Sequence, residues 1–182
     1  MTETADRYRA LAARLTEIVE AVPSDRWEDQ SPCSDWTALQ VLGHLVESQA
    51  DFLERLDIHG GLHLGDDPRR SWPVLRDTVQ GLLDDPAKAS MEYESAFGPA
   101  TFEQTMGQFF CLDLLVHGWD IARATGLEDH EDMPSEEVER NLVFLRGLGD
   151  NVRGSGVFGP KVAVPDGAGP QAHFLAFTGR RP

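Results

Sequence analysis

Asp113 and His117 stand four residues apart in FEQTMGQFFCLDLLVHGWDIARATG, the most apolar stretch of the chain. At about 100° per residue, an α-helix carries positions i and i+4 on one face. Phe102, Met106, Phe109, Phe110, Asp113, Val116, His117 and Asp120 then fall on one stripe, and Gln104, Gln108, Cys111, Gly118 and Ala122 on the other. The pattern turns a carboxylate and an imidazole toward the core. A bare buried carboxylate is costly unless it is paired, protonated or bound to a cation. The same spacing suits two ligands of one metal ion, as in helices that hold zinc through paired histidines. A buried Asp–His hydrogen bond, or an ion pair from Asp113 to Arg55 or Arg76, satisfies the pattern equally.

A catalytic metal site normally takes three protein ligands. His59, His63, His130 and His173 fall in loops or the tail, which leaves His44 as the other histidine inside a long helix. Spacing alone makes His44 a weak candidate, since half-exposed helical histidines are common. Along its helix it shares a stripe with Gln40, Glu47, Ser48 and Asp51. That stripe either lines a polar pocket beside the ion or is a solvated face. Asp120, one turn beyond His117, is placed to orient that imidazole from behind, or to pair with Arg123 or Arg55. Cys33 and Cys111 show no metal-ligand spacing, and Cys111 reads as core filler. The four tryptophans read as packing anchors. Nucleophile-elbow, phosphate-loop and dinucleotide fingerprints do not occur.

Composition narrows the functional classes. Sixteen Lys+Arg face 31 Asp+Glu, a net charge of −15, so nucleic acid and anionic membranes are unfavourable partners. No window approaches 18 apolar residues, and the charged, amphipathic start MTETADRYRALAARL does not read as a secretory leader. A cytoplasmic protein with free thiols is expected.

The elements that must position these side chains are helical. Helix 1 is expected over about 3–22. Helix 2 starts near 35–37, where Thr37-x-x-Gln40 fits a capping box, and runs to about 56. Helix 3 spans about 71–84, and 87–100 is a connection with room for a short hairpin. Helix 4 opens on a second box, Thr101-x-x-Gln104, and stops at Gly126. A fifth, shorter helix begins near 134–135. The tail from Val152 is rich in Gly and Pro, with a short helix at about 171–177. The expected architecture is one domain, 1–182: an all-α bundle over about 3–126, then an extra helix and irregular tail over 127–182.

The segment SPCSDWTALQVLGHLVES, followed at a distance by LDLLVHGWDIARATG, resembles the DinB-like superfamily. More closely, it resembles the metal-binding domain of the mycothiol-dependent maleylpyruvate isomerase family and its actinobacterial relatives. The similarity runs over residues 1 to about 126, and the ending VAVPDGAGPQAHFLAFTGRRP fits the same group. The resemblance implies an up-down-down-up four-helix bundle holding one divalent ion on His44, Asp113 and His117. Two imidazoles and a carboxylate suit zinc and also accept Ni, Fe or Mn. Two departures stand out. The isomerase has Glu where this chain has the shorter Asp113, and these 182 residues are expected to lack the extra C-terminal domain that completes the isomerase's active site.

The implied function is metal- and thiol-dependent chemistry: an S-transferase or isomerase that uses mycothiol against a small-molecule electrophile. Two alternatives remain open. One is a metal-dependent hydrolase with Asp120 or Glu47 as base. The other is a non-catalytic metal- or ligand-binding module, in which a homodimer would carry a structural metal.

Overall fold

The computed structural model describes residues 2–58, 62–96, 98–149 and 159–182. His59 and the start of the tail at Val152 lie outside the described residues.

Helix α1 (Glu3–Ala21) starts on Thr2, whose hydroxyl accepts from Ala5 N at 3.2 Å. Helix α2 (Ala38–Arg55) opens with the expected capping box. Thr37 Oγ1 accepts from Gln40 N, and Gln40 Oε1 accepts from Thr37 N. Helix α3 (Pro68–Asp84) begins three residues before its expected start, because Asp67 caps it and Pro68 supplies a first turn that needs no N–H donor. A single turn, α4 (Pro86–Ala89), leads into a hairpin, β1 (Glu92–Ser95) and β2 (Gly98–Thr101).

The expected fourth helix is a rod with a discontinuity. It comprises α5 (Phe102–Thr105), a π-helical turn (Met106–Phe110) and α6 (Cys111–Thr125). The second capping box forms at Thr101, and Gly126 closes the rod in the left-handed conformation at φ 74°. Helix α1 passes close to the π turn. A Cβ at Gly107 would stand 3.0 Å from Thr4 Oγ1, and Arg7 donates to the Gly107 carbonyl at 3.1 Å.

Named contacts set the helix directions. Thr4 and Arg7 meet Gly107 while Leu15 and Ile18 meet Gly118, so α1 and the rod run parallel. Trp72 donates to Thr16 and Gln80 to the Ala5 carbonyl, so α1 and α3 are antiparallel. The His44 ring meets that of His117, and two turns later Phe52 meets Phe110, which makes α2 antiparallel to the rod. The order up-down-down-up follows. Tyr8 ties the diagonal pair together by donating to Gln49 Oε1 at 2.9 Å, inside the core.

Two further helices wrap one side of the rod, α7 (Ser135–Leu148) and α8 (Pro170–Phe177). Arg7 grips Glu137 of α7 through two 2.7 Å bonds, and Gln171 of α8 bonds Met133 N and the Glu131 carbonyl. The expectation of a one-sided stripe is corrected by α1, whose Leu15 and Ile18 stand where a Cβ at Gly118 would point. Cys111, Gly118 and Ala122, expected on the far side, are buried, whereas Asp113 keeps part of its surface. With α1, α2 and the wrapping segments around it, α6 has no solvated face, as a helix apolar all round should not.

Leu45, one residue past His44, has no exposed surface. Leu45→Ala is expected to cost about 2–5 kcal/mol, read by chemical denaturation. A loss below about 1 kcal/mol would mean that this seam is not the packed centre of the bundle.

Candidate metal centre

The site is assembled where α2 begins and α6 ends its middle turns. Before α2 the chain doubles back: Trp36 N donates to the Cys33 carbonyl at 2.9 Å and Ser31 N to the Trp36 carbonyl at 3.0 Å. Gln30 gathers four carbonyls of the same loop with its side-chain amide. The loop sets Trp36 against His44, with rings stacked 4.7 Å apart, so this tryptophan is part of the site as well as a packing anchor. The His44 and His117 rings stand edge to face at 5.1 Å.

His117 is held from behind. Its Nδ1 lies 2.9 Å from Asp120 Oδ2. Asp120 has no exposed surface and also receives Arg180, from Nη2 at 2.7 Å and Nε at 3.1 Å. Burial alone would raise the Asp120 carboxyl. The hydrogen bonds from His117 and Arg180 overcome it and hold the group at about 2. An ionised carboxylate only accepts, so Nδ1 must carry the proton and the lone pair of His117 lies on Nε2. That is the tautomer a metal-ligating histidine needs.

His44 and Asp113 are the groups left over. Neither has a hydrogen-bond partner among the described residues. Burial above all, with the positive charge of Arg180 beyond it, pushes His44 down to about 4, so at neutral pH it is an uncharged donor. Burial raises the Asp113 carboxyl against the pull of His117 and Arg180. Between the two contact points of the α2–α6 seam, Ser48 falls level with Asp113, and its buried Oγ also lacks a partner among the described residues. His44 and His117 face one another across the seam, with Asp113 one turn before His117 on α6, but the ligand atoms of His44, Asp113 and His117 do not all lie within 4.8 Å of one another.

A second donor set shares His117. Among the described residues, one group brings its ligand atoms within 4.8 Å of one another: Cys33, His117 and Asp120. Sequence spacing missed Cys33 altogether, because its partners lie far away in the chain. Its thiol donates to Asp120 Oδ2 at 3.4 Å and accepts from Arg180 Nη2 at 3.1 Å. Two facts weigh against an ion there. Arg180 already supplies the cation, and its Nη2 is bonded to both Asp120 Oδ2 and Cys33 Sγ.

The other expected pocket residues divide. Ser48 and Asp51 line a 510 Å³ cavity with Arg55 and Phe110. Gln40 is taken up by the capping box, and Glu47 is exposed. Asp120 pairs with Arg180 rather than with Arg123, which reaches Glu131, or Arg55, which lies over Phe52. Arg76 bonds Asp77, so neither suggested arginine neutralises Asp113. Arg180 was itself unforeseen, although it sits in the very tail that carries part of the resemblance.

Residues 8–63 match the family described as mycothiol maleylpyruvate isomerase N-terminal domain. This is a family of the DinB-like superfamily. The match covers α1 from Tyr8 onward, the Trp36 loop and α2 with His44, and the all-α fold agrees with it. Two uncharacterised proteins of Mycobacterium tuberculosis, from strains CDC 1551 and H37Rv, are each 27% identical over 193 residues, covering 96% of this chain and 92% of theirs. No solved structure matches the chain significantly. Among the described residues, no helix is long and apolar enough to cross a membrane.

Replacing Arg180 by Met leaves Asp120 charged and half-matched in the core. The expected loss is about 3–5 kcal/mol at pH 7, measured by denaturant unfolding. A second expectation concerns acid. From pH 6.5 down to about 4, the unfolded chain takes up a proton on His44 that the folded chain refuses, so His44 makes stability fall as pH drops through that window. Asp113, raised by burial, works in the opposite direction. Comparing metal-free wild type with His44→Phe isolates the term: the variant should show the flatter fall in denaturant midpoint, and parallel profiles would refute it.

Proposed function

We propose that the protein binds one divalent ion through His44, Asp113 and the Nε2 of His117, and uses it for small-molecule thiol chemistry of the S-transferase or isomerase kind. The observation that carries this reading is the facing pair of imidazoles. His44 is neutral and unbonded, and His117 is locked by Asp120 with its free nitrogen on the other side. Zinc suits two imidazoles and a carboxylate, and Ni, Fe and Mn share the preference. The match to the mycothiol maleylpyruvate isomerase N-terminal domain supports both the metal and mycothiol as the thiol.

When bound, the ion would supply a Lewis acid that lets a thiol ionise at neutral pH. The chain's own residues do the rest. Trp36 covers one face of His44 and keeps its ring in place. Asp120 keeps the His117 proton on Nδ1, and Arg180 keeps Asp120 ionised so that it cannot take that proton. Ser48 offers a hydroxyl at the level of Asp113 for a polar group of the substrate. Neither cysteine is the nucleophile in this scheme. Cys111 is buried and its thiol is pushed to about 12, as is that of Cys33, so the reacting thiol comes from outside.

Elemental analysis of protein purified without a nickel column tests the site. Stoichiometric metal is expected in wild type, with a loss of tenfold or more, on the order of 1.4 kcal/mol per decade of affinity, in His44→Ala and His117→Ala. Cys33→Ser should keep the ion. The close spacing of Cys33, His117 and Asp120 favours one rival placement, in which Cys33→Ser empties the site and His44→Ala does not. The chemistry is read by metal-dependent conjugation of mycothiol to monochlorobimane. Metal-loaded protein that binds no thiol in calorimetry would rule the transferase out.

A further inference from the structure

Two cavities open along the α2–α6 seam on the hairpin side of Ser48. The smaller is the 510 Å³ space beside Ser48 and Asp51. The larger, of 760 Å³, lies between the end of α2, the hairpin, the π turn and the end of α7. Arg55 and Phe110 line both, so the two spaces share a wall. A volume of this size is that of a small-molecule pocket rather than a packing defect.

The larger cavity is walled by rings. Phe52 stands 5.2 Å from Phe110 and 5.6 Å from Tyr93, and Phe109 meets Phe144 edge-on at 5.6 Å. Flat aromatic surfaces at these separations offer stacking and edge contacts to another ring. The π turn brings this about. It inserts an extra residue just before α6, so that Phe109 and Phe110 both face apolar neighbours, one toward α7 and the other toward α2. Such turns recur at functional sites.

What sets Arg55 apart is its place. Arg70, Arg146 and Arg181 also show no ion pair among the described residues, but none of them lines either cavity. Among the described residues Arg55 forms no ion pair and no hydrogen bond. Its guanidinium lies over the Phe52 ring at 5.8 Å from the centroid. Asp51, Glu54 and Glu94 line the same cavities; they and Arg55 are all exposed, so solvent screens the attraction between them and the guanidinium stays unpaired. The arginine fork, with its five N–H donors, is thus left open at an aromatic cleft, a combination that recognises a carboxylate attached to a ring.

We propose that this cleft binds an aromatic carboxylic acid, with its ring among Phe52, Phe109, Phe110 and Phe144 and its carboxylate on Arg55. As the electrophile's pocket it rests on the metal reading above, since Ser48 connects it to the seam between His44 and Asp113. As a binding site it stands without the metal.

Calorimetry on the EDTA-treated full chain is the test, with 2-naphthoate and the neutral naphthalene-2-methanol as probes. Naphthoate should bind the wild type, and Arg55→Gln should weaken it by about tenfold or more while leaving the alcohol unchanged. Ala100→Trp, which fills the larger cavity from β2, should abolish both. Equal naphthoate affinity in wild type and Arg55→Gln overturns the carboxylate contact. Binding that survives Ala100→Trp, or no binding of naphthoate to the wild type, overturns the site. His44→Ala and His117→Ala should keep naphthoate while losing metal, so that either reading can fail without the other.

Discussion

Asp120 carries a charge in a place where no water reaches it, and much of the architecture follows from how that charge is matched. The carboxylate accepts from His117 on its own helix, from Arg180 near the end of the described chain, and from the Cys33 thiol in the loop before α2. Three segments remote in sequence thereby converge on one group. An isolated ion at this depth would cost several kcal/mol, so the network is an all-or-none arrangement: each partner is needed once the others are in place. It also fixes the proton on His117, which links the docking of the tail to the chemistry of the seam.

The seam between α2 and α6 is the other constraint. Antiparallel packing places residues at steps of four on α2 against steps of three and four on α6. One line therefore runs from His44 and His117, past Ser48 and Asp113, to Phe52 and Phe110. The character of the line changes along its length. It begins with metal-binding donor types, passes through polar groups that lack partners, and ends in aromatic walls beside Arg55. A single helix pair thus carries both a candidate cation site and a candidate organic-ligand site, with the π turn adjusting where the aromatic end points.

The capping boxes at Thr37 and Thr101, the stop at Gly126 and the helical spans were legible because they depend on neighbours within four residues. The same local logic misread the rod. A uniform 100° projection takes no account of an inserted π turn, nor of α1 packing on the side opposite Asp113, so Gly118 and Ala122 are buried there while Asp113 keeps part of its surface. It also left the partner of Asp120 undecided. The nearby arginines are suggested by spacing, but the one that pairs lies 60 residues away.

By itself the sequence determined the helix set, the acidic surface and the co-facial placement of His117 and Asp120 on one helix, since each is a property of periodicity or composition. Through a resemblance it also pointed to His44 as the companion of His117. Only the tertiary structure decided that their rings face one another, that Trp36 stacks on the first, that Cys33 and Arg180 close around Asp120, and that Arg55 remains unpaired over Phe52. The reason is physical. A helix's own geometry reports which side chains share a face, whereas the partner a buried charge or an open donor finds depends on which distant segments exclude water together.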